Sequence, residues 1–314
     1  MAYDIRLMVK VAKLYFNDKL PQLGIAKKLK ISKYQVTRLL KIAEKIGVVK
    51  IIITDPTLNV TSFEEKLEET FNLKRAIVVA NKGLSDDEIR SKIGVEAARY
   101  LLEIIKDDDI IGISWGGTLN EVVNNLPSKI NRKVKIIQII GASHQLSIKL
   151  SAHDLAKRFA SKFNVEPLLL FAPALVINKK TRDLFLEDFS IKKVFNYFDK
   201  LNMAIFGVGT LKSQPFLESE YLSKEDIESL KQSKTVGDVV GNHYDINGNS
   251  SDSLLKNRTI AISLKQIKKI PYNIAVAGGE EKAEAILGAL RGNYINILVT
   301  DSKAAEKIFQ IAKK

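Results

Sequence analysis

Between Gln22 and Lys41 the recurring apolar positions are Ile25, Ala26 and Leu29, then Ile31, then Val36, Leu39 and Leu40. That spacing places one apolar face on each of two short helices joined at a sharp turn, a helix-turn-helix preceded by a helical pattern from Ile5 to Phe16. Ala26 falls where the helices cross closely, and Ser32 is placed to N-cap the second helix by accepting from an orphan backbone N–H. With Val36, Leu39 and Leu40 turned inward, the outward residues are Lys33, Tyr34, Gln35, Thr37, Arg38 and Lys41. Together with Ser32 at the helix start, these are donors, acceptors and cations suited to base edges and phosphates. Lys30 holds the turn position usually given to Gly, where a non-Gly residue costs on the order of 1 kcal/mol.

Farther along, the pattern changes. The β-rich run from Val48 to Ile53 follows as a wing or connecting strand, and Thr54-Asp55-Pro56 ends it. Ser62 and Glu65 make a capping-box start for a helix from Phe63 to Phe71, which puts a domain boundary near residue 56: a DNA-binding domain over 1–56 and a second domain over 57–314. Strand-like runs at 75–80, 109–114, 134–140, 167–171, 202–208, 236–240, 259–263, 273–277 and 295–300 then alternate with helical patterns at 86–106, 151–163, 280–291 and 303–312. This order predicts an α/β domain, a mostly parallel sheet of the open, doubly wound kind with helices on both faces.

Charge sharpens the picture of the first domain. Residues 1–60 carry twelve Lys or Arg against Asp4, Asp18, Glu44 and Asp55, a net +8 of the chain's +13. Basicity concentrated on the motif attracts phosphate and makes binding salt-dependent, which favours nucleic acid over an anionic membrane. The 314 residues exceed a DNA module and allow a second domain with its own core. No apolar run reaches membrane-span length and no signal-peptide pattern is present, so a soluble, cytoplasmic protein is expected. Cysteine is absent, and the three histidines, His144, His153 and His243, are too scattered to suggest a metal cluster.

In open α/β sheets ligands bind at the carboxyl ends of the strands, so the strand-to-helix turns are the candidate chemistry. The turn Gly112-Ile113-Ser114-Trp115-Gly116-Gly117-Thr118-Leu119 follows an apolar strand and opens a helix. Gly116 and Gly117 let backbone N–H groups approach an anion, and Ser114 and Thr118 add hydroxyls, which makes a phosphate cradle; a tight turn needing Gly only for geometry is the alternative. A second turn, around Gly141-Ala142-Ser143, repeats the pattern more weakly. The third, Ala277-Gly278-Gly279-Glu280-Glu281-Lys282, brings Lys282 to a helix start, where a cation opposes the helix dipole and calls for a compensating anion.

These segments, with GDVVGNHYDINGN and the C-terminal IPYNIAVAGGEEKAEAILGALRGNYINILVTD, resemble the SorC family of bacterial transcriptional regulators over nearly the whole chain. The resemblance implies a winged helix-turn-helix domain followed by an effector domain related to glucosamine-6-phosphate deaminase and ribose-5-phosphate isomerase. It further implies a phosphorylated-sugar effector and a homo-oligomer, a tetramer, on operator DNA. Carried over by motif, the effector contacts fall on Ser114, Gly116, Gly117, Thr118 and Gly141, with Asp245 holding sugar hydroxyls and Lys282 the phosphate. Ala142 replaces a second Gly common in the family, and Asp301 either faces ligand or caps the final helix.

Two rival readings remain at this level: a sugar-phosphate isomerase or deaminase built on the same cradle, and an architectural DNA-binding protein without ligand. The first lacks a visible acid/base pair around the cradle and leaves the basic domain without a role, so no catalytic residue and no cofactor are assigned. The second leaves three glycine-bearing turns on one sheet unexplained.

Overall fold

In the N-terminal segment, the Asp4 carboxylate accepts the Leu7 N–H at 3.0 Å and starts helix α1 (Ile5–Ala12). The computed structural model describes residues 4–49, 58–143, 151–211 and 222–313, so His144 and most of the run from Val48 to Ile53 lie outside the described residues. The chain divides into two compact units, Met1–Pro56 and Thr57–Lys314. The helix expected to continue to Phe16 is α-helical only to Ala12 and rewinds as a π-helical turn over Lys13–Asn17. Helices α2 (Gln22–Leu29) and α3 (Lys33–Lys45) follow, with Val11, Leu14, Ile25, Ala26, Val36 and Leu40 buried between them and α1. Lys30 takes φ 52°, ψ 43°, the left-handed turn conformation expected of it.

The second unit opens with α4 (Leu58–Phe71), which places Ser62 inside the helix and not at its N-cap. The Ser62–Glu65 capping box is therefore absent. The glutamates of α4 act elsewhere: Glu64 and Glu68 accept the N–H groups of Val78 and Ala76, both at 2.8 Å, on β1 (Arg75–Val79). β1 is an edge strand, and these carboxylates occupy donors that another strand would otherwise seek.

Next come α5 (Asp86–Ile104), β2 (Ile110–Ile113), α6 (Gly117–Asn125), β3 (Lys135–Gln138), α7 (Ala152–Ser161), α8 (Lys179–Glu187) and α9 (Phe189–Phe195). They are followed by β4 (Met203–Phe206), β5 (Val208–Thr210), α10 (Lys224–Gln232), β6 (Thr235–Val239), β7 (Asn242–Asp245) and α11 (Leu264–Ile267). The chain ends with β8 (Tyr272–Val276), a short 3-10 turn (Glu280–Lys282), α12 (Ala283–Arg291), β9 (Ile297–Asp301) and α13 (Ser302–Ala312). Six strands make a parallel sheet in the order β1-β9-β8-β4-β2-β3. One apolar layer, with Ile93, Ala97, Val122 and Phe159, covers one face of the sheet; another, with Leu67, Ile286, Ala305 and Ile308, covers the other. Chain order leaves β2 toward β3 on one side and β4 toward β8 on the other, so the crevice of an open sheet falls between the carboxyl ends of β2 and β4.

Three expected strands differ. Runs 167–171 and 259–263 form only isolated bridges, such as Ile137 with Leu168 and Leu175 with Thr259. Beside β3, the buried Gln138 side chain accepts the Leu170 N–H at 3.2 Å, which takes that donor from a longer backbone ladder. The run 202–208 divides between β4 in the parallel sheet and β5, which joins β6 and β7 in a separate antiparallel sheet. The β6–β7 hairpin turns over Val240 and Gly241, both left-handed (φ 50° and 72°), and the Asp238 carboxylate fixes it by accepting the Gly241 N–H at 2.9 Å.

Helices α5 and α6 cross where a side chain is not permitted. A Cβ at Gly94 would stand 2.5 Å from the Cβ of Glu121 and 2.8 Å from its carbonyl carbon. Gly94→Ala gains about 1 kcal/mol of helix propensity, but overpacking against a backbone that cannot swing away costs about 1–3 kcal/mol. The expected result is a lower denaturant midpoint at unchanged slope; a midpoint at or above wild type would mean that α6 is free to shift.

Candidate functional site

In the N-terminal unit α3 starts with a full capping box: Ser32 Oγ accepts the Gln35 N–H at 3.1 Å and Gln35 Oε1 accepts the Ser32 N–H at 2.9 Å. Ser32 thus has the capping role expected of it, and Gln35, read from the sequence as outward, has its amide oxygen engaged. Thr37 departs further. Its hydroxyl donates to Gln22 Oε1 at 2.7 Å and lies 3.1 Å from the Lys33 carbonyl, so it ties α3 to α2 from a partly buried position. Thr37 is corrected from a DNA contact to a helix-pairing residue. Lys33, Tyr34, Arg38 and Lys41 are exposed on the same helix, Tyr34 at 75%.

In the second unit the glycine-bearing loops converge at the carboxyl ends of β2, β4 and β8. Ser114 continues the β2–β4 ladder by donating its N–H to the Ile205 carbonyl at 3.2 Å, and it is buried beneath the loop. Gly116, at φ 129° and ψ 159°, occupies the N-cap position of α6, a conformation closed to other residues without strain. Gly117 and Thr118 form the first turn of that helix, with N–H groups that have no intrahelical acceptor.

Facing them, the loop after β8 is braced by Asp301. This fully buried carboxylate accepts the Gly279 N–H and the Asn81 Nδ2, both at 2.6 Å, and N-caps α13 through Lys303 and Ala304. The alternatives left open for Asp301 resolve to capping and bracing. Lys307 adds a second hold at 3.1 Å from Glu280. Gly278 lets the loop pass under Ile93, since a Cβ there would stand 2.3 Å from that residue's Cδ1.

Between the two loops lies a cleft of about 90 Å³ lined by Asp86, Ile89, Arg90, Ile93, Thr118, Gly278, Gly279, Glu281 and Lys282. Lys282 is partly buried at the N-cap of α12. Dehydration holds its ammonium below the usual lysine range; Glu281 opposes that shift, Arg90 adds to it, and Asp238 opposes it. Among the described residues no carboxylate comes within ion-pair distance of Lys282.

Two expected members are elsewhere. Gly141 donates its N–H to the Ile260 carbonyl, and a Cβ there would stand 2.5 Å from the carbonyl oxygens of Ala172 and Pro173. Its glycine serves the close passage of the chain's own backbone, not a ligand. Asp245 is the hub of the turn after β7, accepting the N–H groups of Asn247 and Asn249 at 2.9 and 2.8 Å and the Asn249 amide at 3.1 Å. Its carbonyl oxygen packs against Gly288, six residues along α12 from Lys282, so the two are separated by roughly 9 Å of helix rise. Two acids favour the charged form of Lys282, Glu281 first and then Asp238, whose Oδ1 fills the space where Gly209 lacks a side chain. Sequence reading missed Asp238 and Arg90. The signals were glycines at close approaches: Gly209 opposite Asp238, and Gly94, which brings α5 against α6 one turn from Arg90.

Among the described residues no group of three or more His, Asp or Glu side chains could hold a metal, and no helix is long and apolar enough to cross a membrane. The family described as "Putative sugar-binding domain" matches residues 55–310. The chain is 33% identical to the sorbitol operon regulator of Klebsiella pneumoniae, over 98% of both chains, and superposes on the full-length crystal structure of that regulator with a TM-score of 0.75. It is 30% identical to the deoxyribonucleoside regulator of Bacillus subtilis over 96% of this chain and 97% of that one. A transcriptional regulator from Streptococcus pneumoniae, 28% identical, matches with a TM-score of 0.78 over 83% of this chain and all of that one.

Proposed function

Because the chain belongs to the SorC family of transcriptional regulators, we propose that it binds operator DNA through α3 and that a phosphorylated sugar in the cleft between the Gly116–Gly117 and Gly278–Gly279 loops controls that binding. The relatives are named as regulators, and the isomerase or deaminase reading is set aside with them. The observation that carries the phosphate is Lys282: a dehydrated ammonium with no ion pair among the described residues, lining one cleft with Thr118 of the first turn of α6. A phosphate there gains a cation and the N–H groups of Gly117 and Thr118, which offset its lost hydration. The carboxylates that border the cleft, and so are on hand for sugar hydroxyls, are Asp86 and Glu281. Residues 1–56 are the DNA-binding part in this reading, and 57–314 bind effector and assemble the protein as a symmetric oligomer, because one recognition helix reads too few base pairs for a useful specificity ratio; the family resemblance makes that oligomer a tetramer.

The test is a thermal-shift screen of pentose and hexose phosphates beside the same sugars without phosphate, followed by operator titration with each hit. A ligand at 100 times its dissociation constant adds about 2.7 kcal/mol, and the phosphorylated form alone is expected to do so and to change operator affinity. A free sugar that binds as tightly would overturn the phosphate assignment, and a monomer by light scattering would overturn the assembly.

A further inference from the structure

Helices α5 and α6 run alongside one another, with Gly94 against Glu121 and, one turn earlier on both, Arg90 against Gly117. The Arg90 Cδ and Nε each lie 3.6 Å from the position a Gly117 Cβ would take. An arginine from a different helix thus covers the N-terminal turn of α6 at van der Waals distance. Arg90 also lines the cleft with Lys282, and among the described residues its ion pair is a weak one: Nη1 lies 2.9 Å from Asp87, whose side chain is 88% exposed. Exposed pairs of this kind hold little.

We propose that Arg90 is a second phosphate-binding cation of this cleft, released from Asp87 when the anion enters, and that it sets the affinity for the phosphate group. The proposal rests on the phosphate reading given above. The charges of the lining call for it. Asp86 and Glu281 both border the cleft, so with Lys282 as the lone cation the lining would be net negative and would repel a phosphate. Arg90 brings the acids and bases into balance and leaves the two helix starts to favour the anion. Its planar fork matches two phosphate oxygens, whereas the Lys282 ammonium serves as a point charge. A guanidinium beside an ammonium is also a repulsion that only an anion between them relieves.

The probe is inorganic phosphate, titrated calorimetrically into the full-length protein and into four variants confirmed folded by circular dichroism. Arg90→Gln is expected to weaken binding about tenfold, and Arg90→Lys to fall between it and wild type. Asp87→Asn frees the guanidinium and is expected to tighten binding about two- to threefold, an opposite sign that a merely structural Arg90 would not give. Lys282→Gln is expected to lose phosphate. If Lys282→Gln loses it while Arg90→Gln and Asp87→Asn bind as wild type, the cleft reading stands and the Arg90 proposal is overturned. If wild type binds no phosphate, or Lys282→Gln binds it unchanged, the cleft reading fails and the proposal with it.

Discussion

Lys282→Ala is expected to abolish the effector response at the concentration that suffices for wild type, while leaving operator binding in the absence of effector unchanged. In the folded protein burial dehydrates this ammonium, against the weaker pull of Glu281 and Asp238, and among the described residues no carboxylate lies within ion-pair distance of it, a state that costs free energy until an anion arrives. Removing it therefore does not weaken the empty protein, and the unfolding midpoint without ligand should match or exceed that of wild type. Binding behaves oppositely. A charge-assisted hydrogen bond to a bound phosphate contributes about 1.5–3 kcal/mol, so affinity should fall about 10- to 100-fold. Operator titration of wild type and variant against one confirmed sugar phosphate decides it. A variant that responds at the wild-type concentration would show that Lys282 is a spectator and would move the phosphate out of this cleft.

What the sequence made legible, and what it did not, follows from the range of the interactions involved. The capping box of α3, the left-handed Lys30 and the alternating strands and helices of the large unit depend on neighbours a few residues apart. Local spacing carries such features. The β6–β7 hairpin was hidden because its two-residue turn is Val240-Gly241, not the Asn-Gly that signals such a turn; the Asp238 carboxylate stabilises what composition does not announce. The same carboxylate acts electrostatically on Lys282, an effect that depends on how the small sheet packs on α12, where a Cβ at Gly237 would stand 2.4 Å from Ala285 Cβ. Gly141 shows the converse error. Its setting after a buried strand looks like a ligand turn in one dimension, but the space its missing side chain leaves is taken by the backbone at Ala172 and Pro173. Glycines announce a close approach; only the fold says whether a ligand or the chain itself makes it.

Gln35 and Arg38 provide the corresponding test of the recognition helix, and the capping box changes what should be expected of Gln35. A glutamine that reads adenine uses both its amide oxygen and its nitrogen. Here Oε1 is occupied by the Ser32 N–H, so while the box persists Gln35 offers DNA its donor side only, suited to the acceptors of guanine or to thymine O4. Gln35→Ala loses the donor and half of the box together and cannot separate them. Gln35→Glu can, because glutamate serves equally at that box position but offers the base edge no donor and adds a charge that opposes phosphate. Gln35→Glu is therefore expected to keep its unfolding midpoint and lose operator affinity by about 1–3 kcal/mol, a deficit concentrated on one base pair beyond the general electrostatic loss. Arg38→Ala should instead weaken all sequences alike and lower the salt slope by about one. Fluorescence anisotropy on operator and on scrambled duplex, at several salt concentrations, measures both patterns. Wild-type operator affinity in Gln35→Glu and Arg38→Ala alike would remove α3 from the DNA interface, and the basic charge of residues 1–60 would then need another explanation.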